Sequence, residues 1–205
     1  MDFENFAGNI NLKEKIVALL KNNRFPHAVM LEGEKGLGKF TFAKIVAKAL
    51  VCDREDHLPC NVCESCKKAE NNNHPDIIFP QPSGALRAYN IDTIREIRKD
   101  AYIKPNEARR KVYIFKNIDN MGISAQNALL KILEEPPLHA VFLFTCLSSG
   151  NILNTVKSRV QIFKLKPVPK AEAVNFILNN NIELNRLDIE DRKSTRLNSS
   201  HIPLS

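Results

Sequence analysis

Seven residues constrain this chain most. Gly33-Glu-Lys-Gly-Leu-Gly-Lys39 fits G-x-x-x-x-G-K, and it lies between the short apolar run Ala28-Val-Met-Leu31 and a segment, Lys39 to Val51, rich in Ala, Ile, Val and Lys at helical spacing. Strand, glycine turn and helix in that order make a unit in which backbone N–H groups turn inward onto phosphate oxygens and the helix start adds its positive dipole end. Gly33, Gly36 and Gly38 would shape the cradle and Lys39 would reach the outer phosphates. The next position should carry a hydroxyl for Mg²⁺, and it is Phe40. Thr41 comes one residue late and, on a helix, is turned about 100° away. A glycine-rich turn without ligand is the plainer reading, and the residues leave a filled and an empty loop both open.

A second strand should end in the Asp that holds the metal, often beside a Glu that activates water. The matching apolar run is Val112-Tyr-Ile-Phe115, and Lys116 and Asn117 follow it. Both carboxylates are therefore missing. Asp119 lies two positions beyond Asn117, either as a substitute ligand swinging back or, more plainly, as a turn or helix-capping residue.

Around this pair of strands the chain alternates. Helical spacing over 11–21 precedes the first strand. Asp76 to Phe79 reads as strand, Ile91 to Tyr102 as helix, Lys111 to Phe115 as strand, Ser124 to Glu135 as helix, Ala140 to Thr145 as strand and Gln161 to Leu165 as strand. The pattern predicts an α/β domain over 1–166, a mainly parallel five-stranded sheet with helices on both faces. After Pro167 and Pro169 the sequence turns helical, with Ala173, Val174, Ile177 and Leu178 on one face, so a small helical lid is expected to start there and run to about 190.

Composition excludes some classes. At 43% hydrophobic with no run of about 18 apolar residues, the chain has no membrane span, and its acidic start, Met1-Asp-Phe-Glu-Asn, is no signal peptide. A cytoplasmic protein is expected. The net charge of +7 permits nucleic-acid contact, but the basic residues are spread among 23 acids, so a solvated mixed surface is the default. In a reducing compartment, the cluster Cys52, Cys60, Cys63 and Cys66 reads as a metal site before disulfides. Four thiolates at knuckle spacing predict a closed, structural zinc site without catalytic water. His57 and His74 are spare ligands or plain loop histidines, and Cys146 reads as a small buried apolar residue.

Residues 191–205 stand apart. Asp191-Arg-Lys-Ser-Thr-Arg-Leu-Asn-Ser-Ser-His201 back-translates to a common sequencing-library adapter, so this tail is expected to be foreign and the native chain to be cut within the lid.

The phosphate loop followed directly by the cysteine cluster, then Asn73-His-Pro-Asp76, Asn127-Ala-Leu-Leu-Lys-Ile-Leu-Glu-Glu-Pro-Pro137 and Ser158-Arg159-Val160, resembles the bacterial sliding-clamp loaders, a branch of the AAA+ family, over residues 3 to about 190. Within that family the order of motifs is most similar to the delta-prime type. The resemblance implies a rigid, non-hydrolytic member of a five-subunit ring, working with gamma/tau and delta subunits to place the beta clamp on primed DNA. It also implies that Arg159 reaches across an interface to a neighbour's ATP as an arginine finger, although Val160 stands where the family usually has Cys. Phe40, Lys116 and Asn117, standing where the hydroxyl and the carboxylates are expected, agree with a subunit that does not turn over ATP itself. The competing readings are an active gamma/tau-like ATPase and a free-standing zinc nucleic-acid binder. The basic residues at 95, 98, 99, 104, 109, 110 and 111 face either DNA or solvent.

Overall fold

The computed structural model describes residues 3–54, 58–82 and 88–179. The tail from 191, the end of the expected lid and His57 lie outside the described residues. Five strands, β1 (Ala28–Glu32), β2 (Ile77–Ile78), β3 (Lys111–Phe115), β4 (Ala140–Cys146) and β5 (Gln161–Lys164), form one sheet in the order β2-β3-β4-β1-β5. Every pairing is parallel, with Ala28 opposite Phe142 and Val29 opposite Gln161 setting the register of the central strand. Parallel neighbours need crossover helices, and these cover both faces, which is why β3 and β4 are buried at every position and mostly apolar rather than alternating with exposed polar residues.

The period of two sorts these strands into two cores. Val29, Leu31, Val112, Ile114, Val141 and Leu143 face one side, against α1 (Ile10–Lys21) and α2 (Lys39–Leu50), where Ile16, Phe42, Ile45 and Val46 are buried. Met30, Tyr113, Phe115, Phe142 and Phe144 face the other, against α4 (Ile91–Ala101) and α5 (Ile123–Glu134). Tyr113 stacks on Phe142 at 5.1 Å, and Phe115 lies 5.2 Å from Phe144. Aromatic side chains thus fill the space beneath the two outer crossover helices.

Among the described residues the remaining elements are α3 (Glu64–Glu70) closing the cysteine segment, α6 (Asn154–Lys157) before β5, α7 (Lys170–Asn179), and short 3₁₀ turns at Ile118–Asn120 and Ser149–Asn151. Asn9 clamps the chain start to the segment after β5, donating to the Lys166 carbonyl at 3.1 Å and accepting the Lys166 N–H at 2.8 Å. Ala173 of α7 is buried with Ala7 and Val168, so the first turn of the helical segment packs on the α/β domain. β2 is shorter than the expected Asp76–Phe79 strand. Asp76 is fully buried, and its carboxylate accepts the backbone N–H groups of Asn106, Glu107 and Ala108 and the side-chain amide of Asn106. That side chain organises the turn leading into β3 while its own carbonyl accepts the Val112 N–H.

Candidate functional site

The loop after β1 takes the shape the glycines were expected to give it. Gly36 and Gly38 have φ of 92° and 76°, in the left-handed region that disfavours side chains. Gly33 serves differently: a Cβ there would stand 2.9 Å from the Leu165 carbonyl oxygen. Gly38 caps α2 without any side-chain acceptor, and the first turn holds no acid, so the amide donors at this helix start face the loop. Lys39 is only 7% exposed and donates to the Gly33 and Glu34 carbonyls, at 2.7 Å each. Burial holds its pKa below the ordinary lysine value. The cradle is thus built, with its ammonium folded onto the loop itself.

The metal side of the cradle is built from other chemistry. Phe40 is half-buried against the α1–α2 core, and its ring lies 6.0 Å from that of Phe79. The Lys116 ammonium sits 5.1 Å from the Phe40 ring centroid and that of Lys44 5.6 Å from it. The two positions that would carry hydroxyl and carboxylate for Mg²⁺ therefore meet as a cation–π pair. Asp119 is bonded to the backbone of another loop in this arrangement. Its Oδ1 accepts the N–H groups of Leu147 and Ser148, the latter at 3.1 Å, which fastens the end of β4 to the turn after β3. It caps a loop across the sheet, where sequence reading anticipated a local turn or helix cap. Asn117 donates its N–H to Thr145 Oγ1 at 2.9 Å and adopts a left-handed φ of 56°. Cys146, fully buried beside this junction, is pushed up to about 12 by burial and is an inert thiol.

The second site is the cysteine module. The sulfurs of Cys52, Cys60, Cys63 and Cys66 all lie within 4.8 Å of one another, with Cys52 to Cys63 at 3.9 Å and Cys60 to Cys66 at 4.0 Å. A tetrahedral zinc with bonds of about 2.3 Å needs sulfurs about 3.8 Å apart, so the set fits that ion. Backbone N–H groups of Cys60, Cys63 and Cys66 point at the sulfurs of Cys52, Cys60 and Cys63, the turn geometry that stabilises thiolates. Burial would raise the Cys60 pKa, but backbone N–H donors from Val62 and Cys63 bring it down to about 6. His74 is not among the ligands; it is buried and its Nδ1 accepts the Asp76 N–H. The module is fastened to the domain at two points, Lys68 to Glu107 and the largely buried pair of Lys48 on α2 with Glu70 on α3, while Ser65 bonds Asp53 within it.

The third site is the turn after α6. Arg159 projects with its side chain 34% exposed, far along the chain from the phosphate loop. The basic run behaves less uniformly than its sequence suggests. Lys111 is buried and paired with Asp100 at 2.9 Å, Arg110 bonds the Leu138 carbonyl and Asn23, and Arg95 pairs with Asp92, while Lys99 and Lys104 are exposed. Among the described residues, no helix is long and apolar enough to cross a membrane.

The resemblance seen in the motifs is matched across the chain. A family model described as DNA polymerase III, delta subunit, matches residues 8–169. The DNA polymerase III subunit delta' of Bacillus subtilis is 34% identical over 78% of this chain and 50% of its own length. Subunit tau of the same organism is 33% identical over 92% of the chain and 33% of its own length. The delta' subunit of Buchnera aphidicola subsp. Schizaphis graminum is 31% identical over 90% and 56%. The chain thus spans between a third and just over half of these relatives. Among solved structures, a gamma subunit-related protein of Thermotoga maritima shares the fold at TM-score 0.56 and 23% identity, covering 85% of this chain and 52% of that one. The Holliday junction motor RuvB of Thermotoga maritima shares it at TM-score 0.56 and 16% identity, over 92% of this chain and 57% of that one. With an AAA+ fold, a phosphate loop and a cysteine module in the expected order, this chain belongs to the clamp-loader family of DNA polymerase III subunits that act in DNA replication.

Proposed function

We propose that this chain is the ring-scaffolding, non-hydrolytic member of a clamp loader, of the delta-prime type, and that it supplies Arg159 to the ATP site of a neighbouring subunit. The observation that carries the reading is the Phe40–Lys116 contact at 5.1 Å, which puts a ring and a cation where hydrolysis in P-loop enzymes needs a hydroxyl and a carboxylate on Mg²⁺. A finger works on phosphate charge held by another subunit and needs no metal of its own. By this reading the partners are gamma/tau-type ATPases and a delta subunit, acting together in the cytoplasm on the beta clamp and primed DNA. Residues 1–166 are the α/β module, 167–190 open the lid, and the tail from 191 is foreign.

The chain's own residues have defined parts in this mechanism. Asn9 and α7 brace the module, Asp119 and Asn117 lock the β3 and β4 ends together, and Lys39 bonds back onto the loop it follows. Cys52, Cys60, Cys63 and Cys66 would hold a structural zinc, whose contribution is to cross-link a segment short of apolar residues. Purified full-length protein is expected to carry about one zinc per chain, falling towards zero in Cys60→Ser by elemental analysis. The decisive experiment is a reconstituted ring with Arg159→Ala: clamp- and DNA-stimulated ATP turnover at the adjoining site should collapse, and unchanged turnover would reject the trans role.

The second reading, an active gamma/tau-like ATPase, is favoured by the 33% identity to subunit tau. It requires that the purified full-length subunit turn over ATP alone and lose that activity on Lys39→Ala.

A further inference from the structure

Arg159 is held from two sides. Its Nη1 donates to the Thr155 carbonyl at 2.8 Å and to Ser158 Oγ at 3.2 Å, both on its own turn. Its Nη2 forms an ion pair with Glu134 Oε1 at 2.9 Å. Glu134 is the last residue of α5, where Ile132 and Leu133 are buried beneath it and Pro136-Pro137 forbid the helix to continue, so its Cα is fixed by the core. The same helix grips the α6 segment at a second point. Gln126, 3% exposed, accepts the Leu153 N–H at 2.8 Å and donates to the Asn151 and Met121 carbonyls. One helix thus holds the backbone before Arg159 and pairs with its guanidinium.

We infer that Glu134 is the positioning residue of Arg159, restricting the guanidinium before a neighbouring subunit meets it. The inference rests on the finger reading above and adds the residue that aims it. An arginine has a long flexible stem, and a misplacement of about 1 Å at a reacting phosphate costs on the order of 10²-fold in rate. Bonding Nη1 to the turn and pairing Nη2 with Glu134 reduces that freedom before the neighbour arrives. It leaves Nε without a partner among the described residues. It also gives the Asn127–Pro137 string a task beyond its buried face: the charged residue that ends the helix sits where Ser158-Arg159 needs an anchor.

The test compares Glu134→Ala, Glu134→Gln and Arg159→Ala in full-length subunit, each in a reconstituted ring with one competent neighbouring ATP site. Glu134→Ala should lower kcat at that site about 5-fold, the rate equivalent of one partly exposed ion pair, with KM for ATP and ring assembly unchanged. Glu134→Gln, which keeps an oxygen acceptor, should lose less, and Glu134→Ala should add nothing in an Arg159→Ala background. Wild-type kcat in Glu134→Ala, a faster rate, or an effect confined to KM or assembly would each overturn the positioning role. The finger reading falls by a separate result, an Arg159→Ala ring with undiminished turnover.

Discussion

The Gly33–Lys39 loop and the Ser158–Arg159 turn both present cationic side chains suited to phosphate, yet they spend them differently. In the loop, Lys39 is buried and bonded to two carbonyls of the loop itself, while Phe40 and Lys116 close on each other. At the turn, Arg159 is anchored at two corners and keeps a third of its side chain in solvent. A site that works in cis needs four or five groups placed around one metal, and losing any of them disables it. A group that works in trans needs only its own reach and a firm anchor. On the proposed reading, that difference is why one region of such a subunit could drift while another is retained.

Several substitutions would break or sharpen this contrast. The widest gap is expected between Arg159→Ala and Lys39→Ala in the same ring: turnover at the adjoining site falls on the order of 10³-fold for the first and does not change for the second. Equal effects would erase the distinction between the two regions.

Next in size is Asp76→Asn, which keeps one acceptor oxygen but turns an amide donor towards the N–H groups of Glu107 and Ala108. A loss of roughly 3 kcal/mol in denaturant unfolding at neutral pH is expected. Against the upward push of burial, the N–H donors of Ala108, Asn106 and Glu107 hold this carboxyl below its ordinary 3.8. A depressed folded pKa gives stability that is complete above 3.8 and is lost as pH falls through the folded value. The gap between wild type and Asp76→Asn should therefore narrow only below that pH, and a gap that closed on the alkaline side would refute the assignment.

Rebuilding the metal side with Phe40→Thr and Lys116→Asp should create a dependence of nucleotide affinity on Mg²⁺ of about tenfold, or 1.4 kcal/mol, measured by titration with and without chelator. No gain would mean that more than these two positions has been lost. The smallest change is the stability cost of Lys39→Ala, about 1 kcal/mol from its two carbonyl contacts, read as a modest fall in thermal midpoint.

Much of this was legible from residues alone because the dominant signals are local. β3 runs from Lys111 to Phe115 as its apolar run predicts, and α5 lies one residue earlier than the expected Ser124–Glu135. The four cysteines converge because their spacing already describes the turns. What escaped was decided by partners far along the chain. Asp119 reads locally as a turn or helix cap but fastens Leu147 and Ser148, nearly thirty residues on, and Lys111 reads as one of a basic run but is buried against Asp100. Helix α6 has only four residues, too few for periodicity to register, and is held by Gln126 from α5. Glu134 carried one available signal, a carboxylate at the end of an apolar helix before two prolines, but nothing in its neighbourhood names Arg159.

Gly33 bears a lesson for how such chains change over generations. With the Leu165 carbonyl 2.9 Å from where a Cβ would stand, any substitution there would push the end of β5 away from β1, whether or not a ligand ever enters the loop. Selection for an intact sheet edge is then enough to preserve the first letter of the phosphate signature. In lineages that have abandoned hydrolysis, that glycine would persist as a fossil kept by architecture, and the residue to watch for lost activity is the one after Lys39.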